Sequence, residues 1–212
     1  MRAFAKPGQN RIFIGYDPRQ PIAFNILQHS ILRRSSQPLS IVPLVLEQLP
    51  ITRRGLTEFT YSRFLVPWLC GYEGRALFLD ADMLCLADVS ELFSLAEGEG
   101  VQVVMNELKY EWPSLMLFNC AACERLTPEY VETSPELFKM NWAPTYALPF
   151  EWNHIVGYDR PKPAKIVHFT RGIPVWEETG ACEYAEEWHQ ERRAAMATCS
   201  FLELMGGSKH VA

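Results

Sequence analysis

The sequence predicts an α/β fold, a single layered domain with a mixed, mostly parallel central sheet flanked by helices. Three observations carry that prediction. Short apolar runs of strand length alternate with segments whose apolar residues recur at helical spacing. Residues 75–79, Arg-Ala-Leu-Phe-Leu, are apolar almost without interruption, as in a strand covered on both faces. The 212 residues are 48% hydrophobic, enough to bury a core without disulfide or metal staples. The expected domain covers 1–212, with its core at about 11–176, a C-terminal helix at about 183–204 and a frayed polar tail at 205–212.

Residues 11–15, Arg-Ile-Phe-Ile-Gly, read as the first strand, which Gly15, Asp17 and Pro18 end with turn chemistry. Pro21 suits the first turn of a helix, and Ile22, Ile26, Leu27 and Ile31 then recur at helical spacing up to Arg33 and Arg34. A second apolar segment, 39–46, is interrupted by Pro43. Residues 61–70 are helix-like, with Phe64, Leu65 and Trp68 on one side despite Pro67. After the strand at 75–79, residues 88–95 fit a short helix with an acidic N-cap, and 101–105 and 114–118 two further strands. Residues 183–204 are the best amphipathic helix near the end. No repeat, low-complexity tract or interdomain linker is visible.

Composition narrows the function classes. A formal net charge of -5 disfavours a partner bound through phosphates, so nucleic acid is not expected. The first residues hold no apolar run of signal-peptide length, and no stretch approaches the roughly 20 apolar residues of a spanning helix. A cytoplasmic location is expected, with the six cysteines at 70, 85, 120, 123, 182 and 199 reduced. Cys120 and Cys123 form a lone CxxC pair, which reads as packing thiols ahead of structural zinc. The pairs Arg33-Arg34 and Arg53-Arg54 read as solvated charges, with peripheral contact to an acidic lipid surface as the second reading.

The chemistry gathers after the strand at 75–79, in Leu77-Phe78-Leu79-Asp80-Ala81-Asp82. Residues two apart on an extended segment point the same way, so both carboxylates can face one cation. Two carboxylates with open positions for phosphate oxygens suit a hard ion such as Mn²⁺ or Mg²⁺. Open α/β sheets bind ligands outside the C-terminal ends of their strands. A plainer reading makes one aspartate a turn cap and leaves the other solvated. A haloacid-dehalogenase-like phosphatase would also place such a pair here, Asp80 as nucleophile and Asp82 as acid, although Glu177-Glu178 and Glu186-Glu187 fall in loop-like or helical context rather than on its later strands. His168, near the end of the apolar run Lys-Ile-Val-His-Phe-Thr, is a candidate third ligand, and Arg171 beside it a candidate neutraliser of a diphosphate. His29, His154, His189 and His210 read as ordinary histidines, with His154 the one to watch.

Four blocks taken together, Ile-Phe-Ile-Gly-Tyr-Asp at 12–17, Tyr-Ser-Arg-Phe-Leu-Val-Pro at 61–67, Ala-Leu-Phe-Leu-Asp-Ala-Asp at 76–82 and Val-His-Phe-Thr at 167–170, resemble a family 8-type glycosyltransferase of the GT-A fold. The resemblance covers about 11–176. It implies a hexosyltransferase-type enzyme that uses Mn²⁺ or Mg²⁺ and a nucleotide-diphosphate-sugar donor, a UDP-sugar first among them, and transfers with retention. The acceptor would be a glycan, a lipid-linked sugar or a protein. By this resemblance Gly15, Tyr16 and Asp17 hold the nucleobase and ribose, Arg63 reaches the donor, and Asp80, Asp82 and His168 bind the metal. Residues 114–119, from Ser114 to Asn119, would line the sugar pocket, and Trp152 and Asn153 in Leu-Pro-Phe-Glu-Trp-Asn would lie near donor and acceptor.

The chain departs from that pattern in places. Arg171 stands where many members have Gly and Pro174 where they have the diphosphate-binding Lys, so diphosphate contact falls to Arg171. An Asp-Gln-Asp segment is not evident between Tyr130 and Trp152, which leaves the residue facing the anomeric carbon unassigned. Trp112, Trp142, Trp152 and Trp176 offer flat faces for a sugar, but core packing is the plainer reading for them. A non-catalytic nucleotide-sugar-binding domain remains the non-enzymatic alternative. A nucleotidyltransferase is disfavoured because Tyr-Asp-Pro-Arg, not a Gly-rich loop, follows the first strand.

Overall fold

Two sheets organise the residues that this computed structural model describes, 10–160 and 162–197. Along the chain the elements are β1 (Asn10–Gly15), α1 (Pro21–Arg34), β2 (Leu39–Leu44), α2 (Val66–Leu69), β3 (Arg75–Leu79), β4 (Met83–Cys85), α3 (Ser90–Ser94), β5 (Val101–Val103), β6 (Leu115–Asn119), α4 (Pro128–Thr133), β7 (Thr145–Ala147), β8 (His154–Ile155), β9 (Ile166–His168) and α5 (Ala185–Met196), with 3-10 turns between several of them.

The larger sheet has the order β2-β1-β3-β6-β5-β7. β1 runs parallel to β2 and β3, β6 antiparallel to β3 and β5, and β7 parallel to β5, so the sheet is mixed. Its centre is dry: Ile12, Ile14, Leu77, Phe78, Leu79, Leu115, Met116 and Phe118 are fully buried, as the apolar runs in β1, β3 and β6 require. Because β1 and β3 are parallel, both deliver the chain to the same sheet edge, where Tyr16-Asp17 and Asp80-Ala81-Asp82 follow. The smaller sheet, β4-β9-β8, begins immediately after the second aspartate and sets Met83 opposite His168 and Ile155 opposite His168 on the other side.

Several boundaries differ from those expected, each for a local reason. The helix expected over 61–70 is a 3-10 turn, Ser62–Leu65, followed by α2, with Pro67 in the first turn, where a missing N–H costs nothing. α2 ends because Gly71 (φ 63) and Tyr72 (φ 58) turn left-handed. The short helix expected at 88–95 shrinks to α3. Asp88 still supplies the acid at its start, accepting from the backbone N–H of Ser90 at 2.9 Å and of Ser36 at 3.3 Å. The strand expected at 101–105 stops at Val103, and the one at 114–118 shifts by a residue to end at Asn119. Pro43 does not break β2 because β2 is an edge strand. Of the amphipathic stretch 183–204, Ala185–Met196 is helical, and 198–204 lies outside the described residues, as do the tail 205–212 and Cys199. The other five cysteines are free thiols, four of them buried.

α1 packs on β4 and on α5, and one carboxylate fastens the two helices together. Glu191 of α5, 2% exposed, takes His29 Nδ1 at 2.5 Å, Arg34 Nη1 at 2.8 Å and Arg33 Nη1 at 3.6 Å. Arg33 and Arg34 also lie in the last turn of α1, where positive charge complements the helix dipole. Arg34 is therefore an internal anchor more than a solvated charge. The same holds for Arg53, whose guanidinium stacks 3.8 Å from the Tyr61 ring and donates to the carbonyls of Val131 and Ser134.

Glu191→Ala leaves a buried hole and His29, Arg33 and Arg34, all partly solvated, without their acceptor. A loss of about 1–3 kcal/mol is expected, seen as a Tm lowered by roughly 3–10 °C, with Glu191→Gln losing less. A melt of Glu191→Ala that matches wild type would contradict the clamp.

Candidate metal centre

β3 does not stop at its last strand residue. Asp80 N donates to Ser114 O at 2.9 Å, which extends the pairing with β6 by one step and holds Asp80 at the rim of the central sheet. Ala81 turns inward, 5% exposed, so Asp80 and Asp82 share the opposite side, as the two-residue period requires. Phe169 N then donates to Asp82 O at 2.9 Å and stitches the aspartates to the end of β9. The result is that ligand atoms of Asp80, Asp82 and His168 all lie within 4.8 Å of one another. His168, only 1% exposed, comes from 86 positions further along the chain.

Charge dominates this site. Arg63, itself 7% exposed, sets Nη1 at 3.0 Å from Asp80 Oδ1 and donates to Asp80 Oδ2 at 3.3 Å, while it also donates to the carbonyls of Pro113 (3.0 Å) and Phe59 (3.2 Å). Burial pushes the Asp80 carboxyl up to about 7, with Arg63 pulling against it and Asp82 adding to it. For His168, burial works against the proton, but Asp82 by charge and hydrogen bond, and Asp80 and Glu111 by charge, carry it up to about 9. Glu111 escaped sequence reasoning. It is 7% exposed, accepts from the Thr170 hydroxyl at 2.6 Å, and sets Oε2 at 3.7 Å from His168 Nδ1. Nothing in Lys-Tyr-Glu-Trp-Pro distinguishes it from a surface acid except that it sits three positions before the strand end at Ser114.

The donor set fits a divalent cation. Asp80 Oδ1 and Asp82 Oδ1 are buried and have no partner beyond the charged contacts to Arg63 Nη1 (3.0 Å) and His168 Nε2 (3.4 Å). Two carboxylates and an imidazole are ordinary ligands of Mn²⁺ and its neighbours, and a dication would balance the excess of acid over base around them.

The other residues expected at a site are dispersed around this centre to different degrees. Gly15 ends β1 where a Cβ would lie 2.3 Å from Cγ of the Phe59 ring, so glycine is demanded by packing there. Tyr16 is half-buried with its ring edge-on to Phe24 at 5.6 Å. Asp17 is clamped by Arg19, whose N–H (3.0 Å), Nε (2.9 Å) and Nη2 (2.5 Å) all donate to its carboxylate, and these bonds hold its pKa below the usual value. Ser114 donates to Glu111 O at 2.6 Å and accepts from Asn153 Nδ2 at 2.9 Å, which brings Asn153 beside the centre. Trp152 is fully buried and so presents no open face for stacking. Asn119 is not brought to the centre: β6 is antiparallel to β3, so Asn119 pairs with Arg75 at the far end of the strand and donates to Gly98 O. Arg171 is exposed at the rim, 4.6 Å from the Tyr158 ring centroid, and hydrogen bonded to that tyrosine, which lowers its pKa. Trp176 is half exposed, whereas Trp142 is buried and donates to Leu137 O. His154 is buried against Glu183, with Nε2 to Oε2 at 3.0 Å, outside the three-residue cluster.

A pH dependence follows for the metal-free chain. Asp80 moves from an ordinary 3.8 to about 7 and His168 from 6.5 to about 9, so the folded chain holds both protons more tightly than the unfolded one. Stability from these groups is full below the unfolded values and is lost as pH rises through the folded ones. In EDTA, Asp80→Asn is therefore expected to gain in Tm relative to wild type between about pH 5 and 8. A pH-independent difference between the two melts would contradict the buried-carboxyl account.

Comparison with protein-family models finds no match. Among solved structures, the chain is similar to the apo form of the bifunctional glycosyltransferase WbbM, with a TM-score of 0.67 and 14% identity over 97% of this chain. It spans about half, 52%, of the WbbM chain. It is also similar to the galactosyltransferase LgtC in complex with donor and acceptor sugar analogues (TM-score 0.60, 12% identity, 93% of this chain and 100% of that one). A third similarity is to GlyE of Streptococcus pneumoniae TIGR4, a glycosyltransferase (TM-score 0.62, 16% identity, 87% of this chain and 60% of that one). These likenesses establish a GT-A-like fold. In sequence, the chain is 33% identical over 222 aligned positions to Protein CDI of Arabidopsis thaliana, covering 85% of each chain. At that identity and coverage the chain belongs to the family of Arabidopsis Protein CDI.

Proposed function

We propose that the protein is a metal-dependent glycosyltransferase of the family 8 type, which moves a hexosyl group from a nucleotide-diphosphate-sugar to an acceptor hydroxyl with retention. The observation that carries this reading is the convergence of Asp80, Asp82 and His168 within 4.8 Å at the C-terminal strand ends of a fold shared with glycosyltransferases. LgtC, with that fold, is solved with donor and acceptor sugar analogues, which supports a sugar donor and a glycan acceptor here.

Each residue then has work assigned by its position. Asp80, Asp82 and His168 would hold Mn²⁺ or Mg²⁺, which would supply charge neutralisation for the departing diphosphate. Arg63 orients Asp80 from behind through its ion pair. Tyr16 and Asp17, at the parallel end of β1, face the nucleoside of a donor, a UDP-sugar first among candidates. Arg171, which forms no ion pair among the described residues and stands on the rim, reaches the diphosphate. Ser114 and Asn153, bonded to each other, form a fixed polar floor beside Asp80. As the bond from the anomeric carbon to the diphosphate oxygen breaks, the oxocarbenium-like centre is caught by the acceptor hydroxyl, whose proton passes to the departing diphosphate. The phosphatase reading loses ground because Asp80, its nucleophile, is tied to Arg63. The lysines described lie elsewhere, Lys139 on Glu136, Lys165 on Glu91, Lys109 over Trp112 and Lys162 over Phe150. No helix among the described residues is long and apolar enough to cross a membrane.

The test is a panel of UDP-, GDP-, ADP- and CMP-sugars with purified protein and Mn²⁺, read as donor binding and slow donor hydrolysis. One donor is expected to respond, with EDTA abolishing the response and Asp82→Asn lowering it by about 100-fold or more. A response that survives both EDTA and Asp82→Asn sinks the metal-dependent reading. Hydrolysis of a phosphate ester with Mg²⁺ and no donor response would put the phosphatase in its place, and silence in both assays would leave a binding domain.

A further inference from the structure

We propose that Glu111 is a positioning residue for the metal centre: by accepting the Nδ1 proton of His168 it fixes the tautomer and ring orientation that present Nε2 to a cation held by Asp80 and Asp82. The inference rests on the metal-dependent reading of this site and adds to it a residue that lies outside the ligand cluster.

The two ring nitrogens of His168 face different carboxylates. Nε2 is 3.4 Å from Asp82 Oδ1, on the side of the aspartate pair, and Nδ1 is 3.7 Å from Glu111 Oε2, on the opposite side. An imidazole that ligates through one nitrogen carries its proton on the other, and the group that accepts that proton sets which nitrogen is free. Nδ1 is buried and makes no hydrogen bond in the metal-free chain, and the carboxylate placed to take its proton is Glu111, 3.7 Å away.

Glu111 is itself held in place. The Thr170 hydroxyl donates to its Oε1 at 2.6 Å, which leaves Oε2 for the histidine. Its backbone is pinned at both ends, N–H to Leu108 O at 2.8 Å and carbonyl from the Ser114 hydroxyl at 2.6 Å. A carboxylate that is 7% exposed and adds to the negative charge around Asp80 is unfavourable unless a donor compensates it. Thr170 is two positions beyond His168, so one short segment provides both the ligand and the hydroxyl that aims its acceptor.

The experiment is Mn²⁺ titration of the purified full chain without nucleotide, followed by EPR of free and bound Mn²⁺, with pulsed EPR for nitrogen coupling from imidazole. Wild type is compared with Glu111→Met, Glu111→Gln, Asp82→Asn and His168→Ala, and melts report whether each folds. Glu111→Met is expected to weaken Mn²⁺ by about 10–100-fold and to diminish the nitrogen coupling, with Glu111→Gln, which keeps an acceptor oxygen, recovering part of both. Asp82→Asn loses binding and His168→Ala loses the coupling. Wild-type affinity and coupling in Glu111→Met overturn the positioning role while the metal site stands. A loss in Glu111→Met as complete as in Asp82→Asn makes Glu111 a ligand and also overturns it. Wild type that binds no Mn²⁺ overturns the site and this role together. Should Glu111→Met not fold, Thr170→Val decides: weakening of about threefold or more supports the role, and wild-type affinity overturns it.

Discussion

Asp80 is buried beside Asp82 and within the field of Glu111, and the structure around it is arranged to make that tolerable. Three carboxylates in a site of low exposure repel one another and lose hydration, a combination that costs several kcal/mol per ion when unrelieved. Relief comes from Arg63, buried on one side of Asp80, and from His168, which keeps a proton that its burial alone would strip away. The same negative field that holds protons in the free protein favours a cation. On the proposed reading, proton retention and metal affinity are two expressions of one electrostatic arrangement, and metal entry would be coupled to proton release.

That arrangement is reached through strand register rather than through any single loop. The parallel pair β1 and β3 brings the first aspartate to the edge at which the nucleoside side of the cleft would lie, and the step from Asp82 into β4 hands the chain to the second sheet. There Met83 faces His168, so this histidine from the distant end of the sequence is set by backbone hydrogen bonds before its side chain makes any contact. A one-residue slip of β9 would turn His168 away from the aspartates, because side chains alternate between faces.

The parts legible in the sequence are those whose signals are local. The apolar run before Asp80, the two-residue spacing to Asp82 and the strand around His168 all announce themselves within a few positions, and the three residues do meet. Asn119 was misplaced because the residues of β6 do not encode its direction: in an antiparallel neighbour of β3 the end beside Asp80 is Ser114. Trp152, which the resemblance sets near donor and acceptor and the plainer reading sets in the core, is fully buried, since its surroundings come from other segments. Glu111 was invisible for the same reason, its burial and its partners Thr170 and His168 lying more than fifty positions away.

One further consequence concerns the outer border of the large sheet. Tyr16 N bonds to Leu44 O, so Leu44 and the alternate residues of β2 face β1, and Pro43 sets its nitrogen toward the open side. An exposed strand normally offers a row of N–H groups that another chain can template upon. Here the row is cut short at the C-terminal end of β2 by a residue that has no hydrogen to give, and the opposite border is β7, a strand of only three residues. Among the described residues, the sheet that carries the charged centre thereby offers only short stretches of free N–H groups at its two margins for edge-to-edge self-association.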